Sequence, residues 1–234
     1  MADVEPAAYD EQVASLYDRA FRDIRVRRVE WRWLTSQLTA LPVPRPRVLE
    51  LGCGTGAVLR ALAPCVASAV GVDISASMLE RASARAHGID NLSFVRIPDS
   101  SLPFAEGSFD VVISFLSFRY LDWPRSFAEV RRVLADGGRF LLLDLVAAPM
   151  RPGEALTLAR STLRHVTARL RAPRFQRDLS ALTSHPAWRE MLRRHPMRPL
   201  DEYRQFFARQ TARARFETLD MTPSRRVVAL SLQP

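Results

Sequence analysis

Residues 48–56 read Val-Leu-Glu-Leu-Gly-Cys-Gly-Thr-Gly: an apolar run containing one acid, then glycines at three alternate positions. Few structures accommodate such a segment. Gly52, Gly54 and Gly56 allow a tight turn with positive φ, against which a ligand packs without intervening side chains. A helix is expected from about Ala57, and its free amides and positive dipole end then face the same turn. Strand, turn and helix together form a cradle for a polar small molecule. The spacing is G-x-G-x-G, whereas dinucleotide binders carry G-x-G-x-x-G.

Four later segments narrow the ligand. Residues 69–75, AVGVDIS, form a second apolar strand ending in Asp73, 17 residues beyond Gly56. A carboxylate there can accept hydrogen bonds from both hydroxyls of a ribose, which points to a nucleoside. Leu102-Pro103-Phe104 follows, then SFDVVIS at 108–114, then a run from Glu129 through Gly137-Gly138 to Asp144. In this order and at these distances the set resembles the class I S-adenosylmethionine-dependent methyltransferases. The likeness is closest to the branch with the ubiquinone/menaquinone-biosynthesis type and many natural-product methyltransferases. It covers residues 9–145, weakens over 146–199 and returns as a closing strand pair.

The resemblance implies an α/β fold. This is a Rossmann-like seven-stranded mixed sheet, its last strand antiparallel, sandwiched by helices, with an N-terminal helical segment and a helical cap after the fifth strand. It implies S-adenosyl-L-methionine as cofactor, S-adenosyl-L-homocysteine as product, and no metal. Carried onto this sequence, Gly52, Cys53, Gly54 and Gly56 border the methionine half, and Glu50 orients it through its ammonium. Asp73 holds the ribose, with a helix N-terminal acid as its alternative role. Ile74 and Met78 border the adenine. Tyr9 and Tyr17 close a helix over the cofactor, or simply pack in the core. The family's acid four residues before Leu-Pro-Phe is replaced by Pro98, so Asp99 with Ser100 is expected at the adenine amino group. The stretch 114–120, from Ser114 and Phe115 through Leu116, Ser117 and Phe118 to Tyr120, lies between cofactor and substrate, with backbone carbonyls near Ser114 facing the cofactor's ammonium. Arg119 and Tyr120 stand near where relatives often carry a histidine. Arg119 there can clamp a carboxylate or phosphate through two hydrogen bonds, or can be an ordinary surface arginine.

Strands expected at 47–51, 68–72, 92–96, 109–114 and 139–146 alternate with helices, the pattern of parallel strands joined by crossovers. Residues 9–41 read as an amphipathic helical stretch. Asp122 and Pro124 start a helix that ends near Leu134, with Gly137-Gly138 as its stop. After Ala148 come an amphipathic helix over 154–170, a short one after Pro186 and a third over 201–213, then strands at 216–221 and 226–232. The single domain thus divides into N-terminal helices (1–46), cofactor core (47–148), substrate cap (149–198) and a last helix with closing strands (199–234). Trp188, Tyr203, Phe206 and Phe207 line or support an acceptor cavity, unless they are core. His195 follows Trp188 by seven and Met191 by four, on the buried side of its helix, and is the candidate general base. Its alternative is a helix-end histidine at a core edge. His165, opposite the apolar stripe of its helix, is expected on the surface.

The chain of 234 residues suits one domain with a sizeable core and contains no apolar run long enough for a membrane span. A cytoplasmic, unexported protein is expected, with Cys53 and Cys65 as small apolar fillers rather than a disulfide. The formal charge is +9, yet residues 1–150 hold 17 arginines against 18 acids and residues 151–234 hold 17 against 7. There is no lysine. Coding bias accounts for the choice of arginine but not for its crowding after residue 150. The expected partner is a small-molecule acceptor, acidic or carrier-bound, methylated on oxygen as part of a secondary metabolite or a quinone-like compound. Two alternatives stay open. One is an RNA- or DNA-modifying methyltransferase, although the Asn/Asp-Pro-Pro-aromatic run of exocyclic-amine enzymes is absent after the fourth strand. The other is a non-methylating, cyclase-like enzyme on the same fold.

Overall fold

Seven strands, β1 (Arg47–Leu51), β2 (Ser68–Asp73), β3 (Leu92–Arg96), β4 (Phe109–Phe115), β5 (Leu134–Ala147), β6 (Glu217–Met221) and β7 (Arg225–Leu232), form one sheet. The computed structural model describes residues 11–211 and 214–234. The strand order is β3-β2-β1-β4-β5-β7-β6, with only β7 antiparallel to its neighbours, as expected. Chain order reverses between β1 and β4, which opens a crevice beyond the carboxyl ends of these two strands.

Parallel strands are covered on both faces, so their residues are apolar nearly throughout. Alternation sorts them between two cores. Leu49, Leu51, Val112, Phe140 and Leu142 join one core with α5 (Trp123–Val133) and α9 (Leu200–Gln210). Val48, Val111, Ile113, Leu141 and Leu143 join the other with α2 (Arg28–Thr39) and α3 (Ala57–Leu62). Asp122 caps α5 by accepting from the Arg125 amide at 3.2 Å. The helix ends at Val133, and Leu134 already pairs with Phe109, so Gly137 and Gly138 lie within β5 rather than stopping a helix. On the other side of β1, α4 (Ala76–Arg85) starts at Ser75, whose hydroxyl accepts from the Met78 amide. Cys65 is exposed, contrary to the expectation of an apolar filler, whereas Cys53 is buried.

The N-terminal helical stretch comprises α1 (Glu11–Ala20) and α2, separated by a 3-10 turn at Ile24–Val26 capped by Asp23. Two departures concern helices. Between α6 (Ala155–Arg171) and α8 (Pro186–Arg194) lies α7 (Pro173–Ser184), which the periodicity missed; Pro173 suits its first turn, where no amide donor is needed. Most consequential, α6 faces the other way. Leu156, Leu163, Val166 and Leu170 point to solvent, while Ser161 is buried and Arg164 and His165 bond Asp220 on β6. His165 is accordingly partly exposed, as expected, and hydrogen-bonds Asp220 at 2.7 Å.

The start of α6 is held by a buried cation. Arg226 of β7 donates to both Glu154 carboxylate oxygens at 2.8 and 2.7 Å and to the Pro149 carbonyl. That guanidinium holds the Glu154 carboxyl down to about 2, against a usual 4.5. The pair therefore stabilises the fold above the ordinary carboxylate range and loses its effect as pH falls towards 2. Glu154→Gln is expected to lower the thermal midpoint at neutral pH and to flatten its decline between pH 4.5 and 2. A variant with an unaltered acid limb would disprove this.

Candidate active site at the carboxyl edge of the sheet

The turn after β1 is pulled over β2 by two amides, as Gly52 and Cys53 donate to the Val72 carbonyl at 2.8 and 3.0 Å. Two of its glycines are required by space as well as by φ. A Cβ on Gly52 (φ +66°) would stand 2.5 Å from Ser117 Cβ, and one on Gly56 (φ +68°) 2.7 Å from the Phe94 ring. The Gly54 amide donates to Asp73 Oδ2 at 2.8 Å, and the Ser75 amide to Oδ1 at 2.9 Å. Asp73 is thereby oriented across the crevice at the end of β2. Burial raises its carboxyl above the ordinary value, opposed by these amides.

Behind the turn, Glu50 is 2 % exposed and its Oε2 finds no hydrogen-bond partner. Burial, reinforced by the nearby Asp73 charge, pushes its carboxyl well above the usual range. Tyr17 from α1 closes the other side, its phenol pushed up to about 12 chiefly by burial. An acidic, desolvated corner of this kind suits a cation.

The loop after β4 forms the opposite wall. Ser117 donates to the Leu51 carbonyl at 2.5 Å and shares a 2.8 Å hydrogen bond with Ser114. Leu116 between them takes φ +62°, the one positive φ outside glycine among the described residues. A branched side chain held there marks a backbone constrained by its surroundings, at a cost on the order of 1–3 kcal/mol. Next comes a buried polar network around Asp144 of β5. The carboxylate accepts from the Arg119 amide at 3.0 Å and from Tyr203 Oη at 2.7 Å. Burial raises the Asp144 carboxyl, and the Arg119 guanidinium draws it back down. Arg119 also donates to Tyr120 Oη, while its buried Nε lacks a partner. The Tyr120 ring meets His195 edge-on, with centroids 5.7 Å apart.

A continuous cavity of about 1220 Å³ joins the two walls. Tyr17, Gly52, Gly54, Asp73, Ile74, Met78, Asp99, Ser100 and Phe115 line it, as do Arg119, Tyr120, Trp188 and His195. Glu50, Gly56 and Ser114 stand behind the wall, and Cys53 turns its sulfur towards Gly71 and away from the opening. Tyr203 and Phe207 correct the expectation of acceptor contact. Both are fully buried among the rings of α5 and β5, so they support the wall without forming it. Tyr9 lies outside the described residues.

The roof comes from three helices. Val13, Ala20 and Phe21 on or beside α1 pack with Leu182 of α7, and Tyr17 meets Trp188 of α8 at 5.9 Å. No residue of α6 lines the cavity, so the expected cap over 149–198 reduces to its second half. Leu116 and Ser117 line the cavity within the loop expected there, and Leu182, Met191, Arg198 and Arg225 line it as well without having been expected there from sequence. Asp144 carried a usable signal as a lone acid within Leu-Leu-Leu-Asp-Leu-Val. Arg198 and Arg225 carried none, because folding alone brings them to this edge.

Residues 49–142 match the family model for the methyltransferase domain. Over that segment the chain is similar to methyltransferases. The chain is 37% identical over 146 residues to demethylmenaquinone methyltransferase of Clavibacter sepedonicus, an overlap of 62% of the chain and 59% of that relative. It is 41% identical over 104 residues to phthiotriol/phenolphthiotriol dimycocerosates methyltransferase of Mycobacterium leprae, covering 42% and 37%. The chain thus spans less than two thirds of the length of these curated relatives. A candidate S-adenosyl-L-methionine-dependent methyltransferase from Methanococcus maripaludis shares the fold, with a TM-score of 0.60 at 18% identity over 94% of this chain and 92% of that one.

Proposed function

We propose that this chain transfers a methyl group from S-adenosylmethionine to an oxygen of a small quinone-like or secondary-metabolite acceptor. One observation carries the proposal: a single cavity has an acidic, glycine-walled end and an apolar, arginine-edged end. The acidic end fits the cofactor's functional groups. The orphaned Glu50 Oε2 lacks the cation that an amino-acid ammonium provides, and Asp73 stands where a ribose diol needs an acceptor. Ile74, Met78, Asp99 and Ser100 continue the wall on the adenine side. When bound, this cofactor supplies an electrophilic sulfonium methyl, so the protein's task is mostly alignment. Alignment of this kind is worth about 7–11 kcal/mol in favourable cases.

The acceptor end combines Phe115, Leu182, Trp188 and Met191 with Arg119, Arg198 and Arg225. A flat apolar body carrying an acidic group matches that mixture. Arg119 holds the acidic group through its unpartnered Nε, and Asp144 keeps the guanidinium in place. His195, which lines the cavity with Tyr120 edge-on against it, is the group that takes a proton from an acceptor hydroxyl. The names of the relatives, a demethylmenaquinone and a phthiotriol methyltransferase, favour acceptors of this apolar, oxygen-bearing kind.

Calorimetry with S-adenosylmethionine and S-adenosylhomocysteine is the first test, followed by a methyl-labelled cofactor with quinone-like phenols. Absence of binding ends the proposal. Label that stays on the cofactor while the acceptor is rearranged assigns a cyclase-like reaction instead. Binding is further expected to strengthen as pH rises above the ordinary carboxylate range, since burial keeps Glu50 protonated there and only its ionised form pairs with an ammonium. In Glu50→Gln that pH dependence is expected to shrink, leaving weak binding at all pH values. An unchanged profile would remove Glu50 from the site.

A further inference from the structure

We propose that α6 is an interfacial helix that seats this protein on an anionic lipid surface. Its outward face carries Leu156, Leu163, Val166 and Leu170, which are 64, 65, 48 and 78 % exposed, with Met150 beside the helix at 46 %. Leucines in such numbers, aligned on one helix face, are unusual on a protein in water. Leu163 and Val166 also border an open apolar groove of about 550 Å³ with Met150, Leu158 and Ala159.

The orientation is held from behind. Ser161 is fully buried, Arg164 and His165 bond Asp220, and Arg226 clamps Glu154 just before the helix starts. Rolling α6 to hide its leucines would break all of these contacts. The apolar row is therefore presented outward by the fold.

Charge selects the occupant. Residues 155–177 contain six arginines and no acid. Arg160, Arg169, Arg171 and Arg174 are exposed and make no ion pair among the described residues. By helical angle, Arg160 and Arg171 flank the leucine row on one side and Arg169 on the other. A second copy docked on this face would bring like charges together around a shared apolar strip. An anionic bilayer instead accepts the leucines at its headgroup boundary and pairs its phosphates with the arginines. Among the described residues no helix is long and apolar enough to cross a membrane, so the contact is peripheral. The inference goes beyond the methyl-transfer proposal and is tested without cofactor.

The test is flotation of the full chain with phosphatidylcholine vesicles and with vesicles containing phosphatidylglycerol. Binding is expected to the anionic vesicles and to fall with salt. Leu156→Ser, Leu163→Ser and Leu170→Ser combined are expected to weaken it on the order of a hundredfold, and Arg160→Gln with Arg169→Gln on the order of tenfold. Circular dichroism and the thermal midpoint are expected to stay unchanged, because these side chains are exposed. No binding to anionic vesicles overturns the proposal, as does equal binding by the serine variant. A wild-type dimer that the serine substitutions convert to monomer overturns it too, by assigning the face to a second copy. Binding to a single-stranded oligonucleotide but not to vesicles assigns the arginines to nucleic acid and likewise refutes it.

Discussion

Asp73→Ala is expected to weaken S-adenosylmethionine binding by roughly 30- to 1,000-fold, about 2–4 kcal/mol, with only a small change in thermal midpoint. The asymmetry follows from where the carboxylate sits. Its two oxygens accept from the Gly54 and Ser75 amides, and it lines the cavity rather than the hydrophobic core. The charge-assisted hydrogen bonding to a ribose would be lost, worth about 1.5–3 kcal/mol for a single bond and less than the sum for two bonds to one carboxylate. Because burial raises the carboxyl, removing it also relieves a desolvation cost in the empty protein. Asp73→Asn, which keeps one acceptor oxygen, is expected to fall between wild type and alanine. Calorimetric dissociation constants decide the matter. An alanine variant within threefold of wild type would leave Asp73 as a helix-start acid and nothing more.

Phe118→Ala produces the opposite split, a large loss of stability that carries the site with it. Phe118 is fully buried and meets four other rings: Trp123, Phe140, Phe206 and Phe207, at centroid distances of 5.6, 5.7, 6.4 and 5.7 Å. Truncating a phenylalanine in such a setting costs about 3–5 kcal/mol, a large part of the ~5–15 kcal/mol typical of a whole domain. At about 2–4 °C per kcal/mol for a chain of this size, the thermal midpoint should fall by roughly 6–20 °C. The residue next in sequence is Arg119, so a collapsed ring cluster also displaces the guanidinium that Asp144 orients. Acceptor KM is expected to rise more than the cofactor dissociation constant. Denaturant unfolding checks the first claim, and a loss under 1 kcal/mol would disprove it.

The cofactor half was more legible than the acceptor half for a physical reason. Gly52 and Gly56 need positive φ and the absence of a Cβ, a demand that one residue type alone meets and that shows in sequence. Glu50 stands out as a single acid within an apolar strand and Asp73 as one at the end of another. Tyr203 and Phe207 were ambiguous because an aromatic at helical spacing looks the same whether it faces a cavity or a core. The Asp144 carboxylate at 2.7 Å from Tyr203 Oη resolves that one inward. Residues 173–184 went unread as a helix, although Leu179 and Leu182 supply part of the cavity roof.

Local chemistry written along the chain thus determined the alternating strands and helices, the glycine turn and the acids that frame it, because each depends on residues within a few positions. Tertiary structure decided which face of α6 meets water, that α1, α7 and α8 share the roof, and that Arg119, Arg198 and Arg225 converge on one cavity. Those outcomes depend on partners far away in sequence, Asp220 for His165 and Asp144 for Arg119, and the energy that selects them exists only once the sheet has assembled.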